Sequence, residues 1–281
     1  MATRVTPVTQ SLYLRPIFFA QPIFPTQRHP FMKNIALGLI AGIAAFLAVQ
    51  YLVPTLFGND RISVDDLVAE IKANDPSGFY TTVETHFPED YARFVALMDE
   101  TANNPNIPDD LLNQALFGRS QAFMSDLRLA NAPYFARASI EQIETTLSSY
   151  LAFVQSLSSD PRFCNRILAF GTASLGLEES LKIDQALLSD TANQVFLTFA
   201  EGRAQMNDHG TATSADWDSV LAEWQADVAQ PNFPSIYMAQ DPGNEAYCEA
   251  TISFYEALRD MDGESRDRVL IEVTSKVIDI D

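Results

Sequence analysis

No Asp or Glu occurs in the first 59 positions, although the 281-residue chain holds 37 of them. The charged side chains of that stretch are Arg4, Arg15, Arg28 and Lys33. Cysteine and histidine are also scarce: two cysteines, Cys164 and Cys248, and three histidines, His29, His86 and His209. No H-E-x-x-H, C-x-x-C, Walker A loop, G-x-G-x-x-G or G-x-S-x-G appears. The chain therefore lacks the signatures of zinc peptidases, dithiol redox proteins, P-loop and dinucleotide binders and nucleophile-elbow hydrolases. No repeat of constant period is present, which excludes a regular solenoid.

What is present first is a hydrophobic run. From Asn34 to Phe57 no residue is charged, and Ile35 to Val53 is almost entirely Ile, Leu, Ala, Val, Phe and Gly. A helix of that length reaches about 30 Å or more, the hydrocarbon thickness of a bilayer. Core helices of soluble domains seldom hold so many uninterrupted apolar residues, so the run is read as a transmembrane helix. The chain after Phe57 carries 14 Lys and Arg against 37 acids, a balance of −23. Basic residues preceding a first span stay on the cytoplasmic side. The expected topology is a single pass through a bacterial inner membrane, N-terminus cytoplasmic and acidic C-terminal domain periplasmic.

A cleavable signal peptide competes with this reading, but small residues at the −3 and −1 positions are missing just beyond the run, which favours an uncleaved signal anchor. Residues 1–33 form a basic segment with Pro7, Pro16, Pro22, Pro25 and Pro30, expected to be disordered. Met32, followed by Lys33 and the apolar run, is a possible true start. Within the span, Gly38 and Gly42, with Ala41 and Ala45 on a neighbouring face, are spaced to let two helices pack closely, compatible with a homodimer. The plain alternative is that Gly and Ala are common in membrane helices.

Residues 58–281 read as one acidic all-α extracytoplasmic domain, an antiparallel bundle of about eight or nine helices. Helices are predicted from Ser63 to about Ala73, from Pro88 to about Asn103, from Pro108 to about Ala130 and from Ala138 to Ser158. In the last, Ile140, Ile143, Leu147, Tyr150, Leu151 and Val154 recur at three and four. Pro161 restarts a helix that loosens at Gly171. A long helix is predicted from Leu177 to about Asn207, with Leu181, Leu188, Val195 and Phe199 along its core stripe. Thr213, Ser214 or Asp216 caps the next, which carries Trp217 and Trp224. Two more hold Tyr247 to Leu258 and Val269 to Val277. Phe79 to Val83 reads as a short extended piece, and Pro231-Asn232-Phe233-Pro234 as a rigid turn.

Cys164 and Cys248 fall on separate predicted helices, and in an oxidising compartment they are expected to form a disulfide. Two unrelated buried thiols are the plain alternative. Glu84, His86 and Asp90 are close enough in sequence to share a loop, but a solvated polar loop is the simpler reading. His209 reads as a cation near a helix terminus. Asp260-Met261-Asp262-Gly263-Glu264 has its glycine two places too early for an EF-hand. Glu178-Glu179-Ser180 holds the Glu-Ser pair of helical cell-wall lyases without the glycine-rich segment that should come after it. Gly118 to Ala122 sits in a helical pattern. No catalytic, cofactor or metal set emerges, and the acidic balance disfavours nucleic acid as a partner.

The expectation is a membrane-anchored interaction or assembly module with a protein partner or a second copy. Alternatives are an anchored hydrolase with a carboxylate pair, diagnosed by two buried acids converging in a cleft, and a lipid or small-molecule carrier, diagnosed by a Phe-lined cavity.

Overall fold

The computed structural model describes residues 75–278 apart from 173, 174, 176 and 181, together with Ser63 and residues 68, 69, 72 and 73. The chain divides into two units, Met1–Phe31 and Met32–Asp281, and the described residues all belong to the second. The apolar run 34–57, with Gly38, Ala41, Gly42 and Ala45, lies outside the described residues. So do the segment before it and most of the helix expected from Ser63 to Ala73.

Among the described residues the chain is all-α, with helices and no strand. In order come α1 (Phe79–His86), α2 (Pro88–Ala102), α3 (Asp109–Phe135), α4 (Ile140–Ser156) and α5 (Pro161–Phe170). Next are α6 (Leu177–Ser180), α7 (Gln185–Ala204), α8 (Ser214–Asp227), α9 (Phe233–Ala239), α10 (Tyr247–Asp260) and α11 (Glu264–Ile278). No helix of the described residues is long and apolar enough to cross a membrane.

Several boundaries are set by local chemistry. Pro88 and Pro161 sit in the first turns of α2 and α5, where a missing N–H costs nothing. The Ser139 hydroxyl accepts from Gln142 N at the start of α4, and Thr213 and Asp216 form a reciprocal capping box on α8. Gly171, at φ 67°, ends α5.

Four expectations need correction, and together they raise the helical segments among the described residues to eleven. Phe79 to Val83 is helical: Gly78, at φ 73°, turns the chain into α1, and Phe79, Tyr80 and Val83 are buried on one side. Their burial outweighs the modest helix propensity of Thr81, Thr82 and Val83. The helix predicted over Leu177 to Asn207 is two, because the Asp184 carboxylate takes Ala186 N and Leu187 N and begins α7 afresh. Its stripe of Leu188, Val195 and Phe199 is buried, and Leu181 lies outside the described residues. The turn at Pro231 continues into α9, with Pro234 in its first turn. Finally, α3 passes Ala130 and ends at Phe135, with Pro133 in its last turn.

The organising helix is α7, which packs on α1, α3 and α4. Toward α1 it is aromatic: the Phe196 ring meets Phe79 at 5.3 Å, Phe87 at 5.5 Å and Phe199 at 5.4 Å, all edge to face. Such pairs add about 0.5–1.5 kcal/mol each beyond their burial. Toward α4 it is polar and small. The Thr146 and Thr198 hydroxyls share a hydrogen bond of 2.7 Å, Gln142 Nε2 donates to Thr198 Oγ1 at 3.2 Å, and Ser149 Oγ donates to Asp190 Oδ2 at 2.5 Å. Short side chains bring the helices together while leaving these buried groups paired.

On its other side α4 meets α10 and α11 and so joins the two halves of the described fold. Tyr150 of α4 packs on Tyr255 of α10 at 5.7 Å, and Arg266 of α11 reaches Glu144 of α4 at 2.5 Å. Arg266 is buried, and its Nε donates to Leu258 O at 2.7 Å, satisfying a carbonyl in the last turn of α10. The second aromatic cluster lies in this half: Tyr237 is 4.2 Å from Phe254, and Trp224 is 5.0 Å from the same ring.

Cys164 and Cys248 form the expected disulfide, tying α5 to α10 with a Cα–Cα distance of 5.9 Å. The neighbouring Asn165 completes the joint. Its Nδ2 donates to Pro242 O and Asn244 O at 3.1 and 2.7 Å, and its Oδ1 accepts from Cys248 N at 2.8 Å. One buried amide thus fixes the entry to α10 beside the cross-link.

Candidate functional site

The site grows from a glycine. Where the end of α7 crosses the end of α3, a Cβ on Gly202 would stand 1.9 Å from Tyr134 O and 3.1 Å from Ala138 N. Only a residue without a side chain lets the two backbones meet there. Two carbonyls just past the end of α3 are then taken by the segment on the C-terminal side of α7. Asn207 N donates to Arg137 O at 3.3 Å, and His209 Nε2 donates to Ala138 O at 2.7 Å. Glu201 Oε1 accepts from Ser139 N at 3.1 Å on the same junction.

These bonds hold the 205–210 segment against α3 and leave a groove of about 330 Å³ between them. Pro133, Ala136 and Met206 supply its apolar lining; Arg137, Asp208 and His209 supply charge and hydrogen bonding. Met206 is 76% exposed, the most open of the large hydrophobic side chains among the described residues. Asp208 Oδ1 accepts from Gly210 N and shapes the turn at φ 73°. Because Nε2 of His209 is committed to a carbonyl, its ring is fixed with the other nitrogen, Nδ1, in no hydrogen bond among the described residues.

The electrostatic contrast is the main feature. Nine Lys and Arg side chains of the described residues lie within ion-pair distance of an acid. Arg137 and Arg203, like the exposed Lys182, do not: the two guanidinium carbons lie over the same Tyr134 ring, at 5.5 and 5.8 Å from its centroid, and Arg203 also lies over Phe87 at 5.2 Å. A cation over a ring is held by the quadrupole, which leaves its N–H edge available. Arg137 lines the cleft, where its guanidinium can take a carboxylate or phosphate in paired hydrogen bonds, and Arg203 adds a second positive charge on the same ring.

The residues singled out in the sequence do not converge on this groove, His209 excepted. The expected polar loop is helical instead, with Glu84 and His86 in α1 and Asp90 in α2; the Glu84 carboxylate is 2.6 Å from Lys72 Nζ and Asp90 pairs with Arg93, so the three gather no cluster. Among the described residues no three His, Cys, Asp or Glu side chains are placed to hold a metal ion. Asp260 and Glu264 pair with Arg259 and Arg268, and Glu179 with Arg166. The groove itself went unread because Arg137, in its lining, and Arg203, which shares the Tyr134 ring with it, lie 66 positions apart in sequence. One signal existed: Arg203, in a helix, has no acid three or four places away on either side.

The described residues hold one buried carboxylate, Asp216. Arg268 Nη2 reaches it at 2.8 Å, the Ser265 hydroxyl donates at 2.6 Å, and the Thr213 hydroxyl and N–H donate at 2.7 and 2.8 Å. The Arg268 guanidinium, then those hydroxyls, hold its carboxyl well below the usual carboxylate range. It is a structural clamp between α8 and α11, not one member of an acid pair. Four buried phenols, Tyr150, Tyr237, Tyr247 and Tyr255, lie in the same half, all pushed up by burial, Tyr247 to about 12.

No protein-family model matches the chain, and neither the curated proteins nor the solved structures provide a match.

Proposed function

We propose that the chain is a single-pass, membrane-anchored protein of a bacterial inner membrane whose acidic helical domain, on the periplasmic side, acts as an interaction or assembly module. The observation that carries the reading is the groove lined by Arg137, whose guanidinium shares the Tyr134 ring with that of Arg203, neither having an acidic partner among the described residues, in a domain of balance −23. A docking surface accounts for cations left uncompensated where acids are plentiful. The compartment is supported by the Cys164–Cys248 disulfide, since such cross-links persist chiefly outside the cytoplasm. The anchor and its direction rest on the uncharged run 34–57 and the basic residues before it. Gly38, Ala41, Gly42 and Ala45 are the proposed seam if the partner is a second copy.

Purification of the tagged chain from membranes in mild detergent, at native expression, tests the reading. A stoichiometric protein partner or a dimer is expected, and a clean monomer overturns the proposal.

A further inference from the structure

We propose that the groove beside Tyr134 takes a short extended peptide carrying one or two carboxylates next to an apolar side chain. The inference rests on the interaction-module reading and names the chemistry of its ligand.

The guanidinium groups of Arg137 and Arg203 donate no hydrogen bond among the described residues, and the ring they share positions both before any ligand arrives. A carboxylate entering the groove meets the Arg137 guanidinium already held on the Tyr134 ring, with the Arg203 charge on the same ring, and charge-assisted bonds are the strong ones. The acids at hand are otherwise engaged: Asp208 holds the Gly210 turn, and Glu201 holds Ser139 N. The other wall calls for the apolar neighbour. Pro133, Ala136 and the exposed Met206 thioether form a surface that adapts to side chains of varied shape. The volume, about 330 Å³, is at the small end of ligand clefts, right for two or three side chains rather than a folded surface.

The same charge balance that favours a local anion excludes an extended one. A nucleic acid or anionic bilayer brings many charges against the −23 of the domain. A short peptide with one or two carboxylates feels mainly the pair within a Debye length, about 8 Å at physiological salt.

The experiment is a selection of random heptapeptides on the full-length protein in detergent micelles, followed by fluorescence anisotropy on the selected peptides. The expected peptides carry Asp or Glu beside an apolar residue. Their binding falls tenfold or more in Arg137→Gln/Arg203→Gln, and stays unchanged in Lys182→Gln, an exposed cation elsewhere. Far-UV circular dichroism checks that the double variant folds; if it does not, Arg137→Gln alone, at the arginine that lines the groove, must weaken binding at least threefold. An empty selection, selected peptides without acidic enrichment, or binding indifferent to the two arginines overturns the proposal. So does arginine-dependent binding to phosphatidylglycerol vesicles exceeding that of the peptides. A cellular partner retained by the double variant overturns the peptide assignment but leaves the assembly reading standing. A chain without a partner in membranes that still selects acidic peptides does the reverse.

Discussion

Replacing Gly202 by alanine sets two effects of opposite sign against each other. Alanine is the better helix former by about 1 kcal/mol, and Gly202 lies within α7, so propensity alone favours the variant. Against this, the new Cβ would stand 1.9 Å from Tyr134 O and 2.9 Å from Tyr134 C, both backbone atoms at the end of α3. No flexible side chain can yield there, and reaching even 3.0 Å requires α7 to withdraw by about 1 Å. Overpacking against backbone costs about 3 kcal/mol or more, leaving a net loss of about 2 kcal/mol, or about 4–8 °C in Tm for a domain of this size. The withdrawal also lengthens the bonds of Asn207 and His209 to α3, so the groove loosens with it. Gly118 is the internal control: it is exposed within α3, and its added Cβ would meet nothing within 4 Å. Gly118→Ala is expected to stabilise by about 0.5–1 kcal/mol. Thermal and urea unfolding of both variants, followed by circular dichroism, decides. A Gly202→Ala variant as stable as the parent, or more so, refutes the close approach of the two backbones and with it the way the groove is held.

Three further outcomes are expected. The double variant Cys164→Ala/Cys248→Ala opens a loop of sequence separation 84 and should lose about 4.5 kcal/mol in urea unfolding; a loss under about 1 kcal/mol means that the cross-link is not a major stabiliser. Asp216, harder to protonate folded than unfolded, contributes fully above about pH 4, and that contribution fades as pH falls through the folded-state value. Asp216→Asn should therefore lower neutral-pH stability and flatten the acid limb, and an unchanged acid limb refutes the clamp. The buried phenols, Tyr247 pushed up to about 12, stay neutral in the fold, so their contribution is complete below about pH 10 and is lost as pH rises beyond it. Absorbance at 295 nm should show them ionising only as the helices melt; reversible ionisation near pH 10 with helicity retained contradicts their burial.

What could be read in the sequence was what local chemistry decides. Pro88, Pro161, Ser139 and Thr213 start helices for reasons visible within four residues, and the periodicity of Ile143, Leu147, Tyr150 and Val154 marks a face that is buried. The cysteine pair was legible by elimination, there being no others. Departures came where a tertiary contact outweighs a local preference: Phe79, Tyr80 and Val83 are helical because Phe196 and its neighbours bury them. At Asp184 a cap interrupts a stretch that has no proline to announce it. The groove lay beyond reach for the same reason. Gly202 comes to Tyr134 and Arg137 from a distant part of the chain that only packing brings there, and a glycine within a helix reads from sequence as a mere weakness.

The central claim is that the acidic helical domain and the N-terminus stand on opposite sides of a membrane. Protease added to intact spheroplasts expressing the chain with an N-terminal tag measures this directly. The account predicts that the domain is digested without lysis while a tagged fragment spanning residues 1–57 survives; a domain that is protected until the membrane is opened, and digested then, contradicts it.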